Sequence, residues 1–272
     1  VLLKKMKPKL ELYCVTNKPV PHLENLPINL GCVSTGDFPS SYIRCDNGKN
    51  IYHKEKYYSE LTFHYWYWKN KLNLNNGNWI GFCQRRRLWI KYDSEKKEVN
   101  KYNLKDHLLL QPEDRWDKYD SVICEKIFVN NVKKIKMIKR GWRSLIKDPK
   151  IMFDTKKQTV KFHFEMHHGS NFLKDALEQL ESDDKKDFND YLSERTFFNP
   201  HIMFITKAQI LNKWFSKLFP WLERCEGILG LKTLDGKYDT QRLYAFLAER
   251  YLSFWFKKYT NFVEHPWVVL DI

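Results

Sequence analysis

The apolar run Trp79-Ile80-Gly81-Phe82-Cys83 is followed at once by Gln84-Arg85-Arg86-Arg87. That juxtaposition reads as a buried strand ending at a polar site. An earlier run, Leu10-Glu11-Leu12-Tyr13-Cys14-Val15, ends in the same way at the Pro-stopped polar loop Thr16-Asn17-Lys18-Pro19. Between the two runs a helix reads from Ser59-Glu60-Leu61-Thr62 to Lys69-Asn70, with Tyr58 or Ser59 as its N-cap and Asn75-Asn76-Gly77 as a stop signal beyond its end. Strand, loop, helix and strand in that order imply a crossover connection and parallel pairing. In an open α/β sheet of this kind ligands bind beyond the carboxyl ends of the strands. Arginine at that place favours anionic oxygens, phosphate above all, because its planar fork donates paired hydrogen bonds. A solvated basic turn, or a nucleic-acid patch, is the plain alternative.

The remaining elements fit an α/β chain. Residues 20–50 read as loop with short strands, and Asp46-Asn47-Gly48 is a turn signal. Val122-Ile123-Cys124 reads as a short strand, 131–148 as a helix, and Thr159–Phe164 as either element. Phe172 to Tyr191 reads as one helix with an exposed acidic stretch, Glu181-Ser182-Asp183-Asp184. His201–Ile205 reads as a strand, and residues 207–226 and 239–259 as long amphipathic helices.

A formal net charge of +14 suits an anionic partner: nucleic acid, a nucleotide or an anionic membrane surface. The densest basic block, Lys133-Lys134-Ile135-Lys136-Met137-Ile138-Lys139-Arg140, continues to Arg143 and Lys147. Its interleaved apolar residues fit a helix lying on lipid headgroups, or an ordinary exposed helix. The six cysteines form no C-x-x-C pair and no zinc-finger spacing, and read as reduced thiols. No apolar run has the length of a transmembrane span or a signal peptide. The ten tryptophans and fifteen tyrosines supply a core, with some available to stack on bases or sugars.

No P-loop, G-x-G-x-x-G or G-x-S-x-G is present, and no Asp-x-Asp. Two carboxylates at that last spacing often hold the divalent cation of an enzyme acting on nucleotide diphosphates. Without them, a departing diphosphate needs another source of positive charge, and clustered arginines are one.

Several segments, in order, resemble a family of bacterial capsular and exopolysaccharide glycosyltransferases. Tyr58-Ser59-Glu60-Leu61-Thr62, Trp66-Tyr67-Trp68-Lys69-Asn70 and Trp79 to Arg87 match its Y-x-E-L-T, Y-W-x-W-K-N and I-G-x-x-H-Y-R-R segments. Thr16-Asn17-Lys18-Pro19 stands for T-H-K-P, and Asp46-Asn47-Gly48 through Asn50-Ile51 for D-x-G-x-N-I. Asn199-Pro200-His201 to Ile205 stands for N-M-F-I, and Arg242 with Phe246-Leu247-Ala248-Glu249-Arg250 for R-x-x-G-F-L-A-E-R. Two segments depart: the family's His-Tyr is Gln84-Arg85 here, and its His after Thr is Asn17, so ligand-binding roles carry over more directly than an acid–base role.

The resemblance implies a GT-A-like, Rossmann-type α/β fold with a mixed, mostly parallel sheet, flanking helices and long C-terminal amphipathic helices. All of 1–272 would form one such domain, and Val at position 1 fits a piece of a longer polypeptide. It implies a nucleotide-sugar donor, UDP-linked by preference, and a polysaccharide or lipid-linked glycan acceptor. Transfer would take place in the cytoplasm at the inner face of the plasma membrane, with peripheral membrane contact. Donor contacts would come from Thr16, Asn17, Lys18, Asp46, Glu60, Lys69, Asn70, Gln84, Arg85, Arg86 and Arg87. Acceptor contacts would come from His168, Asn199 and His201, and the base from Glu249. Three of these have structural alternatives: Glu60 as a capping residue of the first helical turn, Glu249 as the partner of Arg242 or Arg250, and His201 as a satisfied, partly buried histidine. No metal ligands are expected and no cofactor is required, Mg or Mn remaining compatible. The competing functions are a basic nucleic-acid-binding protein, which would bind with strong salt dependence, and an inactive scaffold of the same fold.

Overall fold

In the computed structural model, which describes residues 8–169, 171–231 and 238–271, the chain builds a mixed sheet. The strands of the chain are β1 (Leu10–Thr16), β2 (Asn29–Cys32), β3 (Ile43–Arg44), β4 (Trp79–Gln84), β5 (Arg87–Trp89), β6 (Ser121–Cys124), β7 (Ile127–Phe128), β8 (Phe197–Phe198), β9 (Phe204–Lys207), β10 (Phe262–His265) and β11 (Trp267–Val269). The main path runs β10-β6-β9-β4-β1-β2-β3. Every neighbour pair on it is parallel except the two made by β9, and the antiparallel β5/β11 pair is joined to it through β4. β7 and β8 pair separately.

The helices are α1 (Glu55–Tyr58), α2 (Leu61–Asn70), α3 (Leu104–His107), α4 (Lys134–Lys147), α5 (Val160–His168), α6 (Phe172–Glu178), α7 (Ser182–Glu194), α8 (Ala208–Leu229), α9 (Tyr238–Gln241) and α10 (Leu243–Tyr259). No helix among the described residues is long and apolar enough to cross a membrane.

Strand alternation divides the core in two. Val15, Ile80 and Phe82 face α2, α8 and α10, where Phe63, Trp214, Phe215 and Phe256 pack together with Phe204 of β9. Leu12, Cys14, Trp79 and Cys83 face the other way, against Trp89, Trp116 and Leu108. β4 is buried along its whole length because β1 and β9 pair with its edges and a core covers each face. All six cysteines are buried and free.

Three expectations change. Thr159–Phe164 is helical: Thr159 caps α5 by accepting the Phe162 N–H at 3.3 Å. The stretch read as one helix from Phe172 is two, α6 and α7, and its acidic segment opens α7. Asp184 there is buried, accepting from the Tyr251 hydroxyl at 2.5 Å, the Tyr259 hydroxyl at 2.6 Å and Lys258 at 2.9 Å, bonds that come from a distant helix. The strand expected at His201–Ile205 begins only at Phe204, because His201 turns the chain with φ at 69°.

Candidate active site

β1 lies between β2, which follows it in sequence, and β4, which the chain reaches later by crossing back through α1 and α2. That reversal is a switch point, and the crevice beyond it is the usual ligand position. Val15 pairs with Gln84, so Thr16 sits beside the start of the arginine turn. Thr16 is buried. Its Oγ1 accepts the Lys18 N–H at 3.1 Å and donates to the Lys18 carbonyl, which tightens the turn carrying exposed Asn17 and Lys18. β9 runs antiparallel, so its amino end, with His201 and Ile202 before it, reaches the same edge as the carboxyl end of β4.

The arginine run does not act as one cluster. Gln84 pairs with Arg87 as β4 turns directly into β5, and Arg85 and Arg86 form the turn between them. Burial, and then the charges of Arg85 and Lys101, hold the His22 imidazole below its ordinary pKa. Arg86 is held elsewhere: Nε donates to the Leu270 carbonyl at 3.1 Å and Nη2 to Asp271 at 3.0 Å. Only Arg87 turns inward. Its Nη1 donates to Gln84 Oε1 at 3.2 Å, and its Nε is buried without a hydrogen-bond partner.

Arg87 lines a cavity of about 120 Å3 together with Ser59, Glu60, Gln84, His201, Ile202, Arg242, Ala245, Phe246 and Glu249. Arg242, Ala245, Phe246 and Glu249 fall at i, i+3, i+4 and i+7, so one helical face supplies that wall. Glu249 Oε1 accepts the His201 backbone N–H at 2.6 Å, and Oε2 pairs with Nη1 of Arg250, whose side chain is buried beneath. Each carboxylate oxygen has two acceptor positions, so Oε1 keeps one for a ligand hydroxyl. The His201 ring packs edge-on against Trp267 at 4.5 Å, and its Nε2 is buried without a partner. Burial, then Arg87 and Arg250, push its pKa down to about 3, so the ring is neutral at neutral pH.

Two non-glycine residues of the described chain have left-handed φ, Ser59 at 50° and His201 at 69°, and both line this cavity. Such strain costs on the order of 1–3 kcal/mol per residue and gathers at functional sites. Ser59 closes α1, with its N–H on the Glu55 carbonyl at 2.7 Å, instead of opening α2. Glu60 occupies the N-cap position of α2, but its side chain makes no capping bond and lines the cavity, unlike the capping role weighed from sequence.

The other expected residues lie apart from the cavity wall. Asp46 pairs with Arg44 at 2.7 Å on the surface. Asn70 accepts the Lys49 N–H at 3.1 Å and donates to the Lys49 and Trp66 carbonyls at 2.9 and 2.8 Å, while Trp66 Nε1 donates to Asn47 at 3.1 Å. Thus the Asp46–Asn50 turn and the Trp66–Asn70 segment are stapled to each other. Lys69 covers the Trp68 ring at 3.2 Å. Asn199 is fully buried and engaged: its N–H donates to Ser253 Oγ at 2.9 Å, its Oδ1 accepts from that hydroxyl at 2.8 Å, and Nδ2 donates to the Cys124 carbonyl at 2.6 Å and Glu264 at 2.9 Å. His168 is buried and stacks on Phe246 at 4.0 Å, behind the cavity wall. Among the described residues no group of three or more His, Cys, Asp or Glu is arranged to hold a metal. The cavity's two carboxylates, Glu60 and Glu249, share it with Arg87 and Arg242, a donor set suited to an anion more than to a resident divalent cation.

Sequence reasoning missed Arg242, Phe246, Ile202 and Ser59 as lining residues. The first two were legible, since Arg242, Phe246 and Glu249 share helical spacing. A larger cavity of about 690 Å3 lies between Lys91–Asp93 and Leu108–Arg115. It includes no residue of β1, β4 or α10 and so lies away from the switch point.

The family model described as a domain of unknown function (DUF4422) matches residues 12–261. The chain belongs to this family. A comparison of the DUF4422 chain with curated proteins finds no match. Among solved structures, the apo structure of the bifunctional glycosyltransferase WbbM matches 97% of this chain with a TM-score of 0.70 at 17% identity. The DUF4422 chain spans 45% of that WbbM chain. The likeness establishes the fold: a mixed, mostly parallel sheet with flanking helices, as a glycosyltransferase has.

Proposed function

We propose that the chain is a glycosyltransferase that moves a sugar from a nucleotide-diphosphate donor to a hydroxyl of a glycan. The observation that carries this reading is the switch-point cavity in which Gln84, Arg87, His201, Arg242 and Glu249 converge within a fold like that of WbbM. In this reading the cavity takes the reacting end of a donor, with the nucleotide extending outward past Thr16.

In this reading Arg87 and Arg242 face the diphosphate. The bond between the anomeric carbon and the diphosphate oxygen breaks with its electron pair on that oxygen, where the guanidinium charge stabilises it. The acceptor oxygen bonds to the anomeric carbon, and its proton passes to Glu249 Oε1. His201 stays neutral and offers Nε2 as a hydrogen-bond partner to a sugar hydroxyl. Charge on the leaving group is met by arginine, so the reaction proceeds without a resident metal. The motif resemblance extends the reading to a UDP-sugar donor, hexosyl or pentosyl transfer, and a surface-polysaccharide or lipid-linked acceptor at the inner face of a bacterial plasma membrane.

A thermal-shift screen of nucleoside diphosphates and nucleotide sugars tests it. Saturation at about 100 times Kd adds about 2.7 kcal/mol, a rise of roughly 5–10 °C. Arg87→Ala should remove the rise, while Arg86→Ala, whose contacts run to Leu270 and Asp271, should keep it. No response to any nucleotide sinks the reading. Binding without turnover of any nucleotide sugar favours the inactive scaffold. The nucleic-acid alternative rests on net charge and is not favoured by the fold.

A further inference from the structure

Helix α4 carries two apolar stripes where a surface helix ordinarily has one. Met137, Gly141, Ser144 and Leu145 face inward. Gly141 lets α4 approach α5 closely, since a Cβ there would lie 3.0 Å from the Phe162 ring. Ser144 Oγ donates to Glu165 at 3.1 Å. The second stripe, Ile135, Ile138, Trp142 and Ile146, is 70%, 53%, 50% and 71% exposed. At 3.6 residues per turn these four fall within an arc of about 80°. Phe153, 78% exposed, stands beside the start of the helix, under Lys134 Nζ at 5.3 Å. Lys136, Lys139, Arg140, Arg143 and Lys147 fill the next arc of about 100°, all exposed, and α4 contains no acidic residue.

Large apolar side chains left in water as a continuous stripe, bordered by cations, mark an interaction surface. The border selects the partner. A second copy would bring the same cations face to face, and nucleic acid offers nothing apolar for three isoleucines. An anionic bilayer satisfies both arcs, with isoleucine, tryptophan and phenylalanine at the acyl boundary and lysine and arginine among the phosphates.

We propose that α4 with Phe153 is a peripheral docking surface for anionic phospholipid membranes, on which the helix lies parallel to the plane. This does not depend on the transferase reading, because lipid binding is measured without any nucleotide sugar.

The test is flotation of the chain with phosphatidylcholine vesicles and with mixed phosphatidylcholine–phosphatidylglycerol vesicles. Binding is expected to the mixed vesicles alone, weakening as salt rises. Ile138→Ser/Trp142→Ser should lower partitioning at least tenfold. Lys139→Gln/Arg143→Gln should lower it by roughly 25-fold, at about fivefold per charge. Because all four side chains are exposed, the melting temperatures of both variants should match the parent, which separates lost docking from lost fold. Absence of binding to mixed vesicles overturns the proposal, as does undiminished binding by the Ile138/Trp142 variant. A dimer in sedimentation equilibrium that the same variant dissociates, without vesicle binding, also overturns it and assigns the stripe to a second copy.

Discussion

Removing Glu249 tests fold and chemistry together, and the structure separates the two. The Arg250 side chain is 3% exposed and that of Glu249 15%, so Glu249→Ala leaves a guanidinium buried with little but His163 Nδ1, at 3.4 Å, to accept from it. Taking one partner from a buried ion pair costs about 3–5 kcal/mol. The His201 N–H loses its acceptor as well, for about 1 kcal/mol more. A total of about 4–6 kcal/mol corresponds to a fall of roughly 10 °C in melting temperature. Glu249→Gln keeps the shape and an acceptor oxygen and removes only the charge, so about half that fall is expected. Glu249→Gln/Arg250→Met removes both charges and should recover most of the stability, because a buried pair replaced by apolar volume is often neutral. Thermal melts of Glu249→Gln, Arg250→Met and the double give the coupling energy. Costs that add within about 0.5 kcal/mol refute a buried pair. If Glu249 takes the acceptor proton, the double variant regains its fold without regaining transfer; restored transfer refutes that role.

Three further outcomes rest on the geometry. Asn70→Ala loses the hydrogen bonds to Lys49 and Trp66, at about 1–2 kcal/mol, and Gly48→Ala puts a Cβ 2.3 Å from Asn70 Oδ1 at a φ of +58°. The two costs should be sub-additive in denaturant melts, and strict additivity contradicts the staple. Burial pushes His64, His201 and His265 down to about 3, 3 and 4, so the unfolded chain binds their protons near pH 6.5 and the folded chain does not. Stability is therefore full above pH 6.5 and falls toward pH 4, by up to about 1.4 kcal/mol per pH unit per histidine; equal urea midpoints at neutral and mildly acidic pH would contradict this. Activity that survives exhaustive chelation is expected from the arginine-lined cavity, and activity restored only by added Mg or Mn would assign the leaving-group charge to a metal.

Much of the frame was legible along the chain. The β1 and β4 runs, the crossover between them and the long amphipathic α8 and α10 all follow from hydrophobic period, and the parallel β1–β4 pairing follows from their order. Local pattern was less informative where an element's edges depend on distant partners. Asp184 sits in an acidic, helix-opening segment that reads as exposed, yet Tyr251, Tyr259 and Lys258 bury and satisfy it. β10 and β11 went unread because they are short strands whose pairing with β6 and β5 lies far along the chain.

For the site, residue types and order marked the neighbourhood: a polar loop after β1, arginines after β4, and a carboxylate on an apolar helix. Direction was decided in three dimensions. The hairpin from Gln84 to Arg87 sends consecutive arginines to different neighbours, because adjacent residues at a tight turn point apart, and of the three only Arg87 lines the cavity with Glu249. The left-handed φ of Ser59 and His201 has no local signature in serine or histidine; the packing around them imposes it. In α4 the sequence already contained both apolar stripes and the basic arc. Which stripe faces α5 and which faces water depends on the close approach at Gly141, and so only the tertiary structure separated core from surface.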